Sequence, residues 1–371
     1  MIAACDLAPS YIKAIAAYQP GKPTSELARE LSLDEKTIIK LSSNENPLGA
    51  SPAAIKAIER GLSGIALYPD GSGYDFKSAL LKKYGMEREQ IVLGNGSNDV
   101  LELVARAFLT QQDSAVYSQH AFAVYPLAVQ AIGATGITVA AKDFGHDLSA
   151  MAKAVRDDTR VVFVANPNNP TGTFATGDEM LTFLKGIPER VIVVLDEAYG
   201  EYLPADLRMD SIGWLKQFPN LVITRTLSKA YGLAGLRVGF ALAHPDVADL
   251  MNRVRQPFNV NSLALAAAEA ALGDADFLAK SAALNRDGLQ QLAQGFQQLG
   301  LSYIPPFGNF ISVDVGNGAA IFQFLLRQGV IVRPVAAYGM PRHLRISVGL
   351  PPQNERFLTA LADGLKQVPV R

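Results

Sequence analysis

The sequence predicts an α/β protein in which a mostly parallel sheet, covered by helices on both faces, is joined to a smaller α+β domain. Three observations lead to this prediction. The chain has 371 residues, which at ~150 residues per domain favours two domains. Short runs rich in Val and Ile alternate with helical patterns, and these runs lack the apolar–polar alternation of a sheet with one solvated face. After Gly273 the pattern changes to a long helix followed by short strands.

The chain divides into three segments. Residues 1–50 are rich in Pro, Gly and Asn, and we expect an irregular arm that also forms part of the smaller domain and lies against that domain or a partner subunit. Residues 274–371 form the smaller domain, with a helix from Phe277 to about Leu299. Residues 51–273 form the large domain, whose candidate strands are Ile91–Leu93, Ala115–Tyr117, Ile137–Ala140, Val161–Ala165, Val191–Leu195, Leu221–Thr224 and Val238–Leu242.

Composition excludes several classes of protein. Apolar residues make up 49% and charged residues 19% of the chain, so a sizeable core is expected and a disordered or coiled-coil protein is excluded. Lys plus Arg (34) nearly balance Asp plus Glu (35), so no nucleic-acid or membrane partner is predicted. The single cysteine, Cys5, excludes an intramolecular disulfide framework. No secretory signal or membrane-length apolar run is found, and we expect a cytoplasmic protein.

Ligands of such sheets bind beyond the carboxyl ends of the parallel strands, so the turns after the strands are the places to search. The turn Gly94–Asp99 follows a strand and opens a helix. Its glycines allow a ligand to approach the backbone, and Ser97 and Asn98 can cap the helix. Asp99 stands where a dinucleotide fingerprint needs a third glycine. The turn is therefore either a capped helix start or a site for a single phosphate.

Two further turns place polar side chains after buried strands. Asn169 lies between Pro167 and Pro170, and it is expected either to stabilise a rigid turn or to point its amide at a ligand oxygen. Asp196 ends a buried run and is followed by Tyr199. A buried carboxylate needs a cation, a metal or hydrogen-bond donors. Because the sequence has no Walker-type phosphate loop, no metal is predicted, and a structural Asp stays an alternative.

A lysine follows another strand. Lys229 ends the segment Thr226-Leu227-Ser228-Lys229, and Arg237 lies eight residues further on. A lysine near a buried carboxylate and a second cation is partly desolvated, which lowers its pKa and suits Schiff-base chemistry. A lone loop lysine would instead be expected to be solvated.

The four turns together predict one ligand. They offer a phosphate cradle, an amide donor, a carboxylate with a nearby phenol, and a lysine–arginine pair. Pyridoxal phosphate uses all of these groups, with its aldehyde on lysine, its ring nitrogen on a carboxylate and its phosphate on backbone and arginine. A nicotinamide cofactor would leave the lysine and the carboxylate unused.

Several motifs resemble those of fold-type I, aspartate-aminotransferase-like enzymes, which use pyridoxal phosphate. These motifs are Asn169-Pro170-Thr171-Gly172, Asp196-Glu197-Ala198-Tyr199 and Ser228-Lys229 with Arg237. Within this group the chain is most similar to the histidinol-phosphate aminotransferase family, and the likeness covers nearly the whole chain in order. The motifs that carry this closer likeness are Leu41–Gly49, Tyr68-Pro69-Asp70-Gly71 and Leu344–Gly349.

The resemblance implies a role for each matching residue. Lys229 holds the cofactor and moves a proton, Asp196 pairs with the ring nitrogen, and Tyr199 hydrogen-bonds the ring oxygen. Tyr68 reaches the cofactor phosphate of the neighbouring subunit, which implies a homodimer with shared active sites. The other implied cofactor contacts are Asn169 to the ring oxygen, Phe122 stacked on the ring, and Ser97, Asn98, Thr226, Ser228 and Arg237 to the phosphate. The implied substrate contacts are Tyr18, Asn46, Arg333 and Arg345.

The implied reaction is transamination between L-histidinol phosphate and 2-oxoglutarate, which gives imidazole-acetol phosphate and glutamate in histidine biosynthesis. Two alternatives share the scaffold: an aromatic amino-acid aminotransferase and a threonine-phosphate decarboxylase. A cofactor-binding regulatory protein is a third, but such a protein usually carries an added DNA-binding domain, for which the N-terminal arm, with its nearly balanced charges, leaves no room.

Overall fold

A seven-stranded sheet forms the centre of the molecule. The structure, a computed structural model, describes residues 4–368. The first strand of the chain, β1 (Ile39–Lys40), is not part of this sheet. The central sheet comprises β2 (Ile91–Gly94), β3 (Ser114–Ser118), β4 (Thr135–Val139), β5 (Thr159–Ala165), β6 (Ile192–Asp196), β7 (Leu221–Thr226) and β8 (Gly239–Ala243). The strand order is β2-β8-β7-β6-β5-β3-β4, and only β8 runs antiparallel to its neighbours. All seven predicted strands form, and the predicted mostly parallel sheet is confirmed.

Both faces of the sheet are covered, as the unbroken apolar runs predict. In β5, Val161 and Phe163 pack into one apolar cluster, whereas Val162 and Val164 pack into another on the opposite face. Successive strand residues point to opposite faces, so a strand with two buried faces has no position for a polar side chain until it ends. Polar groups therefore collect at the strand ends.

Helices surround the sheet and continue into the C-terminal part of the chain. The helices of the described residues are α1 (Ser10–Lys13), α2 (Thr24–Leu31), α3 (Pro52–Gly61), α4 (Tyr74–Tyr84), α5 (Ser97–Phe108), α6 (Val124–Ile132), α7 (Leu148–Lys153), α8 (Gly177–Gly186), α9 (Ser211–Trp214), α10 (Pro245–Arg253), α11 (Ser262–Gly273), α12 (Ala275–Gln298), α13 (Gly318–Arg327) and α14 (Pro351–Gln367). None of these helices is long and apolar enough to cross a membrane.

A second, smaller sheet has its own core. Its four strands are antiparallel throughout and lie in the order β12 (Arg333–Pro334), β13 (His343–Ser347), β10 (Phe310–Asp314) and β9 (Tyr303–Ile304). Separately, β1 pairs in parallel with β11 (Val330–Ile331). The apolar side chains of this region form a separate cluster, which includes Ile39 from β1. These separate cores support the division at residues 50 and 273, which we keep as a proposal.

The N-terminal arm is less irregular than predicted. Helix α2 begins after Pro23, which has the extended conformation of an N-cap residue, and it ends at Ser32 in the left-handed region. Its Leu27 is buried against Ile38, Leu326 and Ile331. The breakers that predicted irregular structure flank this helix rather than interrupt it, so the expectation was wrong for residues 24–31.

Candidate active site

One cavity at the carboxyl ends of β5, β6 and β7 brings together all but two of the predicted site residues. Its volume is about 180 Å³, and its walls come from both sheets and from the N-terminal arm. The predicted residues that line it are Tyr18, Ser97, Asn98, Phe122, Asn169, Asp196, Tyr199, Thr226, Ser228, Lys229, Arg237, Arg333 and Arg345. Asn46 and Tyr68 lie outside it. Among residues 4–368, no group of His, Cys, Asp and Glu is arranged to hold a metal.

Asp196 is a buried carboxylate whose hydrogen-bond donors are hydroxyls. It is the last residue of β6 and is 4% exposed. Tyr125 donates to its Oδ2 at 2.8 Å and Thr224 donates to its Oδ1 at 3.0 Å. Burial raises the pKa of Asp196, and these two hydrogen bonds oppose that rise. No basic side chain of the described chain forms an ion pair with it, so the carboxylate lacks a cation that the cavity could supply through a ligand.

Lys229 lies in the same cavity as an amine that loses its proton easily. Its Nζ donates to the backbone oxygen of Ser43 at 3.2 Å. Burial, together with the positive charges of Arg345 and Arg237, lowers the pKa of Lys229 to about 8. At pH 7 about a tenth of this side chain is therefore a free amine, which is the nucleophilic form.

The turn before α5 and the chain around Arg237 form a cradle for an anion. Gly96 has a φ of 83°, and a Cβ there would lie 2.5 Å from Nη2 of Arg237. A Cβ on Gly239 would lie 2.5 Å from the backbone N of Ser97. Glycine at position 96 lets the guanidinium of Arg237 approach the turn before this twelve-residue helix, and glycine at position 239 lets β8 pack against the backbone of the same turn.

The cradle is completed by two hydroxyls. Arg237 donates from Nη1 to Oγ of Ser228 at 3.3 Å. The backbone N of Ser228 donates to Oγ1 of Thr226 at 3.1 Å, which closes the turn that carries Lys229. The set of donors suits a phosphate group.

Two hydrogen-bond donors face the cavity beside Asp196. Asn44 donates from Nδ2 to the hydroxyl oxygen of Tyr199 at 2.9 Å, so the tyrosine proton stays available. Burial raises the pKa of Tyr199 to about 12, which keeps this hydroxyl protonated. Asn169 accepts from Nη1 of Arg345 through Oδ1 at 2.5 Å, which leaves its NH₂ group to donate. A single ligand oxygen can accept from both.

Two arginines form the opposite wall. Arg333 on β12 and Arg345 on β13 are paired directly across the antiparallel ladder. Arg345 is 6% exposed, donates to the backbone oxygen of Ser42 at 2.6 Å, and keeps a buried Nε without a partner. Arg333 donates to the hydroxyl of Tyr18 at 3.3 Å. Neither arginine forms an ion pair within residues 4–368, so this wall is suited to bind an anionic ligand.

Phe122 and Tyr68 have different surroundings. Phe122 lines the cavity and packs edge-to-face on Tyr125, with 5.9 Å between ring centroids. Tyr68 is 83% exposed and stacks on Phe258 at 4.9 Å, away from the cavity of its own chain.

Asn46 does not reach the cavity. Its Nδ2 donates to the backbone oxygen of Ala230 at 2.9 Å and to Ser281 at 2.8 Å, and its Oδ1 accepts from the backbone N of Leu48 at 3.0 Å. The residue that lines the cavity is Asn44, whose φ is 54°. Both asparagines belong to one motif, and the left-handed backbone that turns Asn44 inward is a feature that the residue types alone do not show.

Sequence reasoning also missed Tyr125 and Tyr338. Tyr125 lies 71 residues from Asp196 in the chain, within helix α6, so no local spacing could reveal the contact. Tyr338 lines the cavity beside the two arginines. Tyr125 follows Phe122 by three residues, but Phe122 precedes α6, so closeness to Phe122 in the chain is the only signal that the sequence offers.

Comparison with known proteins defines the class. Residues 36–361 match the family model described as aminotransferase class I and II, and the chain belongs to this family. Two curated relatives are histidinol-phosphate aminotransferase 2 of Nitrosospira multiformis and histidinol-phosphate aminotransferase 1 of Thiobacillus denitrificans. The first is 62% identical and the alignment covers 98% of this chain and 93% of the relative. The second is 61% identical, with 98% and 95% covered.

A solved structure has the same fold. Histidinol-phosphate aminotransferase from Sinorhizobium meliloti, determined in complex with pyridoxal-5'-phosphate, matches with a TM-score of 0.90 at 28% identity, and the match covers 98% of each chain. The fold class and the family resemblance predicted from the sequence are confirmed.

The lowered pKa of Lys229 predicts how the cofactor-free protein reacts with aldehydes. The unprotonated amine is the reactive form, so the rate of pyridoxal uptake should rise with pH and level off above about 8. Pyridoxal is the suitable probe because it has no phosphate that titrates. Stopped-flow absorbance between pH 6 and 10.5 measures the rate. Arg345→Gln removes a nearby cation and should move the midpoint upward; a wild-type rate still rising at pH 10 would contradict the assignment.

Proposed function

We propose that this protein is a pyridoxal-phosphate-dependent aminotransferase that moves the amino group of L-histidinol phosphate to 2-oxoglutarate, giving imidazole-acetol phosphate and glutamate. The observation that carries the proposal is one cavity that holds a buried carboxylate without a cation, a lysine with a lowered pKa and two arginines without acidic partners. The high identity to curated histidinol-phosphate aminotransferases supports the choice of substrate and the place in histidine biosynthesis.

The cavity residues fit pyridoxal phosphate. The orphan carboxylate of Asp196 matches a protonated ring nitrogen, because the buried charge lacks a cation. The cradle formed by Arg237, Ser228 and the first N–H groups of α5 matches the phosphate. The free donors of Tyr199 and Asn169 match the ring oxygen. Phe122 is available to stack on the ring face, and Lys229 is available for the aldehyde.

When bound, the cofactor supplies an electron sink for the negative charge that forms at the amine-bearing carbon of the substrate. Asp196 keeps the ring nitrogen protonated through its ionised carboxylate, which Tyr125 and Thr224 hold in place. Lys229 Nζ would remove the proton from the substrate carbon as general base and, as general acid, would deliver it to the former aldehyde carbon of the cofactor, which lies on the other side of the amine nitrogen. Its pKa of about 8 is suited to both roles near neutral pH.

The two arginines select for an anion at the far end of the substrate. The planar, always-charged groups of Arg333 and Arg345 can bind the phosphate ester of histidinol phosphate and then the distal carboxylate of 2-oxoglutarate. The unpartnered Nε of Arg345 is a buried donor that such an oxygen would satisfy. Phenylalanine and tyrosine carry a singly charged carboxylate where histidinol phosphate carries a phosphate ester, so a wall with two arginines matches the more highly charged phosphate better.

We also propose a homodimer in which Tyr68 enters the active site of the partner subunit. Tyr68 lies in a group of exposed apolar side chains with Ile65, Leu67, Tyr74 and Phe258, which are between 46% and 83% exposed. Exposed apolar groups of this kind are typical of protein–protein contacts. A cytoplasmic location is part of the proposal, supported by the free thiol of Cys5.

Removing the charge of Asp196 tests the role of the carboxylate. Asp196→Asn should keep the cofactor bound but lower kcat by about two orders of magnitude, because the ring nitrogen is no longer held protonated. Tyr125→Phe and Thr224→Val each remove one hydrogen bond that lowers the pKa of Asp196, and each should lower kcat about tenfold. Tyr117→Phe is the matched control, since Tyr117 lies on β3 outside the cavity. Near-normal turnover in Asp196→Asn would refute the role.

A half-reaction identifies the amino donor. Cofactor-loaded protein is mixed separately with histidinol phosphate, phenylalanine and threonine phosphate, without a keto acid, and absorbance shows which compound converts the bound cofactor to its amine form. We expect histidinol phosphate to react fastest. Arg345→Gln should raise its KM about 10- to 100-fold, since a charge-assisted hydrogen bond contributes ~1.5–3 kcal/mol. Faster reaction with phenylalanine, or release of carbon dioxide from threonine phosphate, would reject the proposed substrate.

Complementation tests the shared site. Lys229→Ala and Tyr68→Ala proteins are unfolded and refolded together, so that hybrid dimers form. A hybrid contains one site with an intact lysine from one subunit and an intact tyrosine from the other. We expect a mixture of two poorly active variants to recover roughly a quarter of wild-type activity, because about half of randomly formed dimers are hybrids with one good site. If activity equals the average of the two parents, the tyrosine does not act across the dimer.

A further inference from the structure

Asp99 is a motif residue that the proposed cofactor site leaves unexplained. It lies in the first turn of α5, directly after Ser97 and Asn98, yet its side chain does not line the cavity. Its Oδ2 accepts from the backbone N of Asn95 at 2.9 Å. The carboxylate therefore binds the turn from behind, on the side away from the ligand.

The same oxygen has a second donor from a distant part of the chain. Asn259 donates from Nδ2 to Oδ2 of Asp99 at 2.7 Å and to the backbone oxygen of Leu93 at 3.0 Å. Leu93 lies in the strand that enters the turn, and Asp99 lies in the helix that leaves it. Asn259 thus connects both ends of the phosphate turn, residues 94–98.

The contacts continue from Asn259 to the segment that carries Tyr68. Its Oδ1 accepts from Nη1 of Arg255 at 2.8 Å, and Nη2 of Arg255 donates to the backbone oxygen of Gly71 at 3.0 Å. The neighbouring Phe258 stacks on the ring of Tyr68 at 4.9 Å. The short segment 255–259 therefore contacts the Tyr68 loop, residues 68–71, at one end and the phosphate turn at the other.

We propose that Asp99, Asn259 and Arg255 are positioning residues that couple the phosphate turn of one active site to the Tyr68 loop that serves the other. This inference rests on the proposed function, in which Tyr68 reaches the cofactor phosphate of the partner subunit. Every hydrogen-bonding group of the Asn259 side chain is used in the connection. A movement of the phosphate turn or of the Tyr68 loop is therefore transmitted to the other through the side chain of Asn259. The position of the phosphate turn in one site is thus coupled to the position of the Tyr68 that enters the other site.

The first test compares two cofactor forms. Cofactor-free wild-type protein and Asn259→Ala are titrated with pyridoxal phosphate and with pyridoxal, which lacks the phosphate, and protein fluorescence gives each Kd. We expect Asn259→Ala to weaken pyridoxal phosphate at least tenfold and to leave pyridoxal within twofold. Asn317→Ala is the matched control, because it deletes the same side chain from the N-terminus of α13 in the smaller domain. If the binding of both compounds weakens equally, Asn259 has only a general structural role, and the proposal is overturned.

A second variant keeps the shape of the side chain. Asn259→Asp retains the oxygen that accepts from Arg255 but places an acceptor against Asp99 and Leu93, and it should show the same loss of phosphate selectivity. Adding Asp99→Asn restores a donor between positions 99 and 259. We expect this double variant to bind pyridoxal phosphate at least threefold more tightly than Asn259→Asp alone. Equal affinity of the two variants would contradict the pairing.

Hybrid dimers separate the effect on the partner's site. One subunit carries Lys229→Ala, which silences its own site, and the variant Asn259→Ala is placed in this same subunit. The intact site then has a normal phosphate turn and receives Tyr68 from the altered subunit. Pyridoxal phosphate is added to the cofactor-free hybrid, and the concentration that gives half of the maximal activity is measured. We expect this concentration to be at least threefold higher than in a hybrid that carries Asn317→Ala instead. No difference would overturn the coupling. If wild-type protein fails to bind pyridoxal phosphate, the proposed function fails instead.

Discussion

The buried carboxylate of Asp196 is the constraint on which the rest of the site depends. It ends the strand in the middle of the large sheet, with Ala165 and Thr224 as its neighbours in the ladder. A carboxylate without a cation in such surroundings is costly, and two hydroxyls stabilise it only in part. In the proposed function a protonated ring nitrogen completes the ion pair. The protonated ring nitrogen would therefore stabilise the buried carboxylate, and the carboxylate would keep that nitrogen protonated.

The positive charges of the cavity have two functions at once. In the proposed function Arg345 and Arg237 each bind an anion, and the positive charge of each lowers the pKa of Lys229. An anionic substrate on Arg345 offsets part of its charge. The pKa of the lysine then rises, and the amine becomes a stronger base when a substrate is present. The guanidinium of Arg345 therefore links substrate binding to the base strength of Lys229 in the proposed function.

The sequence predicted the parts of the site that follow directly from strand ends. Asp196, Lys229 and Asn169 are each identifiable because a Val- and Ile-rich run stops and a polar residue follows. The contacts that orient these groups could not be predicted in this way. Tyr125 meets Asp196 from a helix 71 residues away, and the choice of Asn44 over Asn46 depends on a left-handed backbone. Such contacts depend on tertiary packing, which local spacing does not encode.

The protonation state of the bound cofactor would show whether Asp196 pairs with the ring nitrogen. Pyridoxal phosphate labelled with ¹⁵N in the ring is bound to the protein, and its nitrogen chemical shift is measured by NMR from pH 6 to 9. We expect the shift of a protonated pyridinium throughout this range, and movement toward the neutral value when Asp196 is replaced by Asn. A neutral pyridine in the wild-type protein would contradict the pairing of the ring nitrogen with Asp196.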